Sequence, residues 1–463
     1  MLKEVLKSGL YEQVRNIEVP YDPINEGSTD AILKSAGNQV PLVQICNTLI
    51  NQQDINYCRL IVGKSFLPQL ELSFNGEDNF IDNDFPLVKD LVTVYIGNVY
   101  DTEYKTIKID FEIVNCEMHG FNVVVTGRMW LEFMKLTDIR TYKDLTSFKV
   151  LKKFCEEYAL GLVTNIDDTD DQMTWIQCNE TNEAFLVDHV IRHMWAADNV
   201  IVRTFIDPWY RLVVCDMFKE MEETPKDDQI SINRFNGEKL DPVQKLILTN
   251  DANAINTMCK FNAYELMYNQ KSLTSPSKVD MQFMNFDMAS KNYQQSIEPE
   301  FIKAWLQNLS TDKEQDVMAD FIDNLSLQVV KRDEVHANVH PHWHQAALIM
   351  DWSQGLFDRV IFKLCINGTL NQLYVYKTIN VEVWKESKRY PEPIPQGVRR
   401  DEVEVNDAAK YQPNAINAVQ NQRLSGKYMI TSLTWEYTKS TNLQQFVECQ
   451  RRMWPLFDVT KLK

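Results

Sequence analysis

The sequence predicts a mainly β protein with α+β insertions, in which two β-barrels flank a small α+β module. Three observations carry that prediction: period-two apolar alternation from Leu42 to Phe133, a change to helical period at Thr146, and a return of alternating segments from Val360 onward. A length of 463 residues is about three times that of a common single domain, so several cores are expected. Hydrophobic residues at 44% and charged residues at 24% are the balance of a compact soluble chain, which excludes long disordered, collagenous or coiled-coil stretches.

Residues 1–40 read as an N-terminal arm, because a short amphipathic start runs into the turn-forming stretch YDPINEGSTD. Residues 41–140 read as the first barrel. LVQIC, CRLIVG, PQLELSF, LVTVYIG, TIKIDFEIV and FNVVVTGRMWLEF each alternate or are rich in β-branched residues, and clusters such as NGEDN and EMHG separate them. Six strands with short connections favour closure, since a barrel hides the unpaired edges that an open sheet exposes.

Residues 141–220 read as the small α+β module. Thr146 and Ser147 can cap a helix whose apolar positions Val150, Leu151, Phe154, Cys155, Tyr158 and Ala159 follow helical spacing, with Gly161 as its stop. A strand follows in MTWIQCN, then a second helix from about Glu183 to Ala197, then the hairpin VIVRTFID and RLVVCD around Pro208 to Tyr210. Residues 221–345 read as a mixed middle region, with helices near Pro299 to Leu309 and over Glu314 to Val330. Residues 346–463 read as the second barrel: VIFKLCING, QLYVYKTINVEVW, an insertion holding Pro391, Pro393, Pro395 and Pro413, and a closing pair that turns at Thr438 to Asn442.

Charge and cysteine usage narrow the function. Lys plus Arg number 48 against 65 Asp plus Glu, and a formal charge of -17 opposes binding to DNA or anionic lipid through bulk attraction. The nine cysteines show no C-x-x-C or C-x-x-x-x-C spacing, so they read as buried thiols of a reducing compartment. Met1 to Val19 is interrupted by charge throughout and is neither signal peptide nor anchor, which predicts synthesis in the cytoplasm and no stable membrane insertion.

The search for chemistry yields one candidate. His340, His342 and His344 in VHANVHPHWH would share one face of an extended segment and could ligate zinc or iron. The other reading of this stretch, which also holds His336, is an aromatic and imidazole patch interrupted by Pro341. His189 and His193 stand four apart on the second helix, but Val190 occupies the place where H-E-x-x-H needs glutamate, so they read as structural. Asp167, Asp168, Asp170 and Asp171 lack the glycine and glutamate of a calcium loop and read as a solvated turn. No phosphate-binding glycine motif and no nucleophile elbow occurs. No catalytic residue and no cofactor is therefore assigned.

Four segments stand out: TSFKVLKKFCEEYALGL from Thr146, WIQCNETNEAFLVDHVIRHM from Trp175, RLVVCD from Arg211, and GKYMITSLTWEYTKSTNLQQFVECQRRMW from Gly426. Together they resemble the tail-hub proteins of bacteriophages and contractile injection machines, the family of late-control and spike-carrier hubs. The middle region, the proline-containing insertion and the histidine cluster have no counterpart in that pattern. The resemblance implies a structural, non-enzymatic baseplate hub in which both barrels are of the tube type. It further implies a homotrimer whose six barrels form a pseudo-sixfold ring, joining a hexameric tail tube to a trimeric central spike and letting DNA pass as cargo. The implied partners are the chain itself, the tube protein, the spike protein, and baseplate wedge or tape-measure proteins. The implied location is the virion tail baseplate, after synthesis in the host cytoplasm. Two other readings stand beside it: a different tail adaptor or ring, and a metal-dependent or cell-wall hydrolase resting on the histidines.

Overall fold

A computed structural model describes residues 2–11, 41–45, 48–76, 86, 90–96, 107–197, 200–222, 228–234, 245–248, 261–268, 282–287, 292–295, 327–332, 339–343, 346–347, 350, 360–367, 373–388, 416–420, 426–440 and 442–451. The chain is mainly β with small α+β parts. Its first strands are β1 (Lys3–Leu6), β2 (Leu42–Ile45), β3 (Thr48–Leu49), β4 (Ile55–Val62), β5 (Gln69–Asn75), β6 (Leu91–Ile96), β7 (Ile107–His119) and β8 (Asn122–Met129). The module follows with β9 (Thr137–Leu145), α1 (Ser147–Glu157), β10 (Gly161–Thr164), β11 (Met173–Thr181), α2 (Asn182–Ala184), a π-helix (Phe185–Ile191), β12 (Val202–Ile206), β13 (Arg211–Asp216) and α3 (Met217–Glu222). The middle holds β14 (Asp228–Arg234), β15 (Lys245–Leu248), β16 (Phe261–Tyr268), β17 (Gln282–Asp287), β18 (Asn292–Gln295) and β19 (Leu327–Arg332). The last strands are β20 (Val360–Asn367), β21 (Thr378–Lys388), β22 (Ile416–Gln420), β23 (Gly426–Thr438) and β24 (Asn442–Arg451).

Each of the six alternating segments expected between Leu42 and Phe133 holds a strand, and their antiparallel pairing runs β4, β5, β8, β7, β6, β2. Their inward residues are fully buried. Val43, Leu72, Val92, Ile109, Phe111, Val123 and Val125 are all at 0% exposure, the outcome expected when one face of every strand is apolar.

The early and late strands belong to one sheet, and β23 is what joins them. One edge of this 13-residue strand pairs with β24 over Met429 to Thr438. Its other edge pairs with β21 at Gly426 to Met429 and then with β4 at Leu433 to Thr438. The partner changes at Thr431, and Gly63, at the end of β4 with φ +91°, packs there: a Cβ on Gly63 would lie 2.7 Å from the Thr431 carbonyl oxygen and 3.0 Å from both Val375 methyls. Only glycine tolerates that backbone and that approach. Among the described residues the sheet so assembled has 15 strands.

In the module, a four-stranded sheet of order β1, β10, β13, β12 carries α1. The Thr146 hydroxyl caps α1 by accepting from Lys149 N at 3.3 Å, and the helix buries Phe148, Val150, Leu151, Phe154 and Cys155. Full burial of a side chain such as Phe154 contributes roughly 2–3 kcal/mol. The helix stops earlier than expected. Ala159, not Gly161, takes the left-handed position at φ 54°, and Leu160 N donates back to Cys155 O at 3.0 Å. Gly161 serves β10 instead, where a Cβ would meet Arg211 Cγ at 2.5 Å. Asn165 ties the strand ends, accepting from Asp216 N at 2.7 Å and donating to Asp216 O at 2.9 Å.

The second helix also differs. After the Thr181 cap it widens into a π-helix and ends at Ile191, which leaves His193 beyond it. Arg192 N donates to Val187 O at 3.2 Å, the five-residue closure that breaks the four-residue facing of the two histidines. In the middle region, Leu327 to Val330, expected within a helix, lies in β19 and pairs in parallel with β17, in keeping with its β-branched Val329 and Val330. The helix expected near Pro299 to Leu309 lies outside the described residues, as does most of the proline-containing insertion. The described partners of β20 are β16 and β24, so β20 and β21 are neighbours in sequence without being a hairpin.

Candidate functional site

The histidine stretch docks on the module through a clasp of rings and backbone bonds. His340 is 2% exposed; its Nε2–H donates to the His193 carbonyl at 3.0 Å. His193 returns the contact, its Nδ1–H donating to the Trp343 carbonyl at 2.9 Å while its ring stacks on Trp343 at 3.4 Å between centroids. Because both acceptors are carbonyls, each imidazole must carry its proton on the bonded nitrogen. His342 stacks on Trp195 at 4.6 Å, and Trp175 faces both Trp343 at 5.8 Å and His340 at 6.2 Å. Trp343 N donates to His340 O at 3.1 Å and Ala346 N to His342 O at 2.8 Å, closing the segment into a turn.

Of the three candidate metal ligands, His340 and His342 are placed on different tryptophans, and His344 lies outside the described residues, as does His336. Among the described residues the buried Nδ1 of His340 has no partner, and loss of water lowers the pKa of His340 to about 4. Among the described residues, no three His, Cys, Asp or Glu side chains gather closely enough to hold a metal. His189 turns the other way, to Glu180 at 3.0 Å. The arrangement can fasten a segment and keep the His340 imidazole neutral; among the described residues it pairs no nucleophile with a base.

The acidic turn shows one role that spacing alone missed. Asp167, Asp168 and Asp170 are exposed, as expected of a solvated turn, but Asp171 is at 0% exposure. Its carboxylate accepts from Ser147 N at 2.8 Å, Thr169 Oγ1 at 2.7 Å, Trp195 N at 2.9 Å and the Ser147 hydroxyl. It thus fixes the start of α1 and the backbone of Trp195, the ring on which His342 rests. Asp168 supports the same cap by accepting from Thr146 Oγ1 at 2.6 Å and pairing with Lys149 at 2.7 Å. The signal available in the sequence was a pair of hydroxyls at a helix start followed by a Thr-x-Asp, which is too common to single out.

Between the π-helix and the sheet lies a hollow of about 880 Å³. Lys64, Arg192, Arg203, Asp188 and Glu448 are on its walls, and Lys64 pairs with Glu448 at 3.4 Å. Charges of both signs alternate there, so it offers no field of one sign for a polyanion.

The sequence matches no family model and no curated protein. Among solved structures it is similar to the 43 kDa tail protein of prophage MuSo2 from Shewanella oneidensis, at 10% identity and a TM-score of 0.45 over 89% of this chain and 97% of that one. A tail protein from Neisseria meningitidis MC58 gives 8% identity and 0.45 over the same shares, 89% and 97%. The c3393 protein of E. coli, described as a type VI secretion component with structural similarity to bacteriophage T4 tail proteins gp27 and gp5, gives 8% and 0.37 over 89% of this chain and 77% of that one.

Proposed function

We propose that the chain is a structural, non-enzymatic hub subunit of a phage tail, three copies of which form a ring between the tail tube and the central spike. The observation that carries this reading is the exchange of partners along β23. It sets the strands of the first and last regions side by side, so one chain supplies two consecutive stretches of sheet wall. Three such chains make six stretches, which meets a sixfold tube on one side and a threefold spike on the other.

Further observations support the reading. The four resembling segments fall on α1, on β11 with the π-helix, on β13 and on the β23–β24 hairpin, which are the elements that build the module and the junction. A net charge of -17 suits a wall past which DNA slides without being held. Exposed apolar side chains at Ile139 (78%), Val114 (67%) and Phe121 (62%) suit a chain that works in an assembly. The histidine clasp serves to fasten residues 339–343 to the module, and the reading assigns it no chemistry.

The test is the solution mass of the purified chain by light scattering. The reading expects a trimer, near three times 54.1 kDa. A monomer at every concentration, or a ring of six or twelve copies, contradicts it and favours another tail component.

A further inference from the structure

Seven large hydrophobic side chains are exposed among the described residues, and six of them fall in two places. The first is the ribbon of β9 and β11, with Leu136, Ile139 and Ile176. Across its strands Ile139 stands opposite Cys178, and Thr141 opposite Ile176. All four are exposed and none is charged, while Trp175 and Gln177 on the other face of β11 are buried. The second place is the far end of the β7–β8 hairpin, with Val114, Met118 and Phe121. Both stay open in the single chain, so neither covers the other. Both also lack strand partners. Among the described residues β9 and β11 pair only with each other, and β6 leaves the edge of β7 at Glu112. Open edges beside exposed apolar side chains are surfaces on which another sheet pairs or packs.

The charge of the chain indicates which partner fits. At -17, most of the surface attracts a basic protein and repels a second copy. Contact between copies is least costly where charge is sparse, as at the core of an interface. The ribbon meets that condition: its outer face is uncharged, and nearby Arg140 is paired with Asp138 and Glu157, and Lys135 with Glu112. The exposed charges that remain beside the two places include Lys143 on the ribbon and Glu117 on the hairpin, which are of opposite sign. In a closed ring of identical chains, every contact joins two unlike patches of the same chain, and this chain shows two. We propose that the far end of the β7–β8 hairpin of each copy packs on the outer face of the β9–β11 ribbon of the next. The inference rests on the hub reading and names the surfaces by which its copies join.

The test uses two variants of the full-length chain and light scattering, at a concentration where the wild type is a trimer. Phe121→Asp and Ile139→Asp should each lose the trimer and run as monomers of 54.1 kDa. Both positions are exposed in the single chain, so the far-ultraviolet circular dichroism should not change. An equimolar mixture is the sharper measurement. The Ile139→Asp chain keeps its hairpin end and the Phe121→Asp chain keeps its ribbon, so one native contact remains and the mixture should form dimers that cannot close. Variants that stay trimeric would give the two places to another protein; that result overturns the proposal and leaves the hub reading standing. A mixture that stays monomeric overturns it as well. A wild-type chain that forms no trimer overturns the hub reading and this inference together. Labelling of the wild-type trimer needs no variant: Cys178, exposed in the single chain, should lose its reactivity toward N-ethylmaleimide, and labelling at the rate of the urea-unfolded chain overturns the proposal.

Discussion

Burial of His340 beside Trp175 and Trp343 keeps its imidazole neutral, with the pKa lowered from 6.5 to about 4 chiefly by lost hydration. The sign of the consequence follows from linkage. Between pH 6.5 and 4 the unfolded chain takes up a proton that the folded chain refuses, so stability is full above pH 6.5 and falls as the pH drops through this window. Below about 4 both states are protonated and the loss levels off, at roughly 3 kcal/mol or less. Urea unfolding from pH 7.5 to 4 should show that decline, and His340→Gln should lack it; parallel curves would show that the imidazole is not held neutral. Asp171 acts at the same scale. Asp171→Ala leaves the Ser147 and Trp195 amides without their acceptor, at a cost of about 3 kcal/mol or more, read as a lower denaturation midpoint. A change below 1 kcal/mol would mean that water replaces the carboxylate.

At the scale of elements, the junction of the sheet rests on the approach of Gly63 to Thr431. Gly63→Ala meets a carbonyl oxygen at 2.7 Å and a positive φ together, so it should destabilise by about 2–3 kcal/mol. Gly120→Ala is the control, with φ +65° but nothing within 4 Å of the added carbon, and should cost about 1 kcal/mol. Equal effects would show that strain alone is at work and that the close contact adds nothing. The elements differed in how plainly the sequence announced them. Strands β2 and β4 to β8 were legible because one buried face per strand writes itself as alternation, and α1 was legible from Thr146 and its apolar stripe. The widening at Phe185 was not, since a π-turn uses the same residues as an α-turn and arises from what packs on it. Ala159 was misread for a related reason: glycine is the usual left-handed stop, and its nearness at Gly161 drew the helix two residues too far. The clasp was half visible. The aromatic and imidazole patch was among the readings of VHANVHPHWH, but its anchors Trp175, Trp195 and His193 come from distant stretches that only the fold brings together.

At the scale of the whole molecule, the first and last regions read as separate strand-rich blocks, and their union into one sheet was not legible, because β23 changes partner in the middle of an unbroken alternating run. That union is the physical basis of the ring proposal. If β23 fixes two stretches of wall in each chain, the spacing between them within a chain and between chains must come out nearly equal, or no six-sided ring closes. The measurement that tests this most directly is a three-dimensional reconstruction of the assembled particle by electron cryomicroscopy, without imposed symmetry. The account predicts three copies around a channel, with six sheet walls and β4 against β23 inside every copy. A closed ring of six copies with one wall each, or a particle in which β4 and β23 pair between different copies, would contradict it.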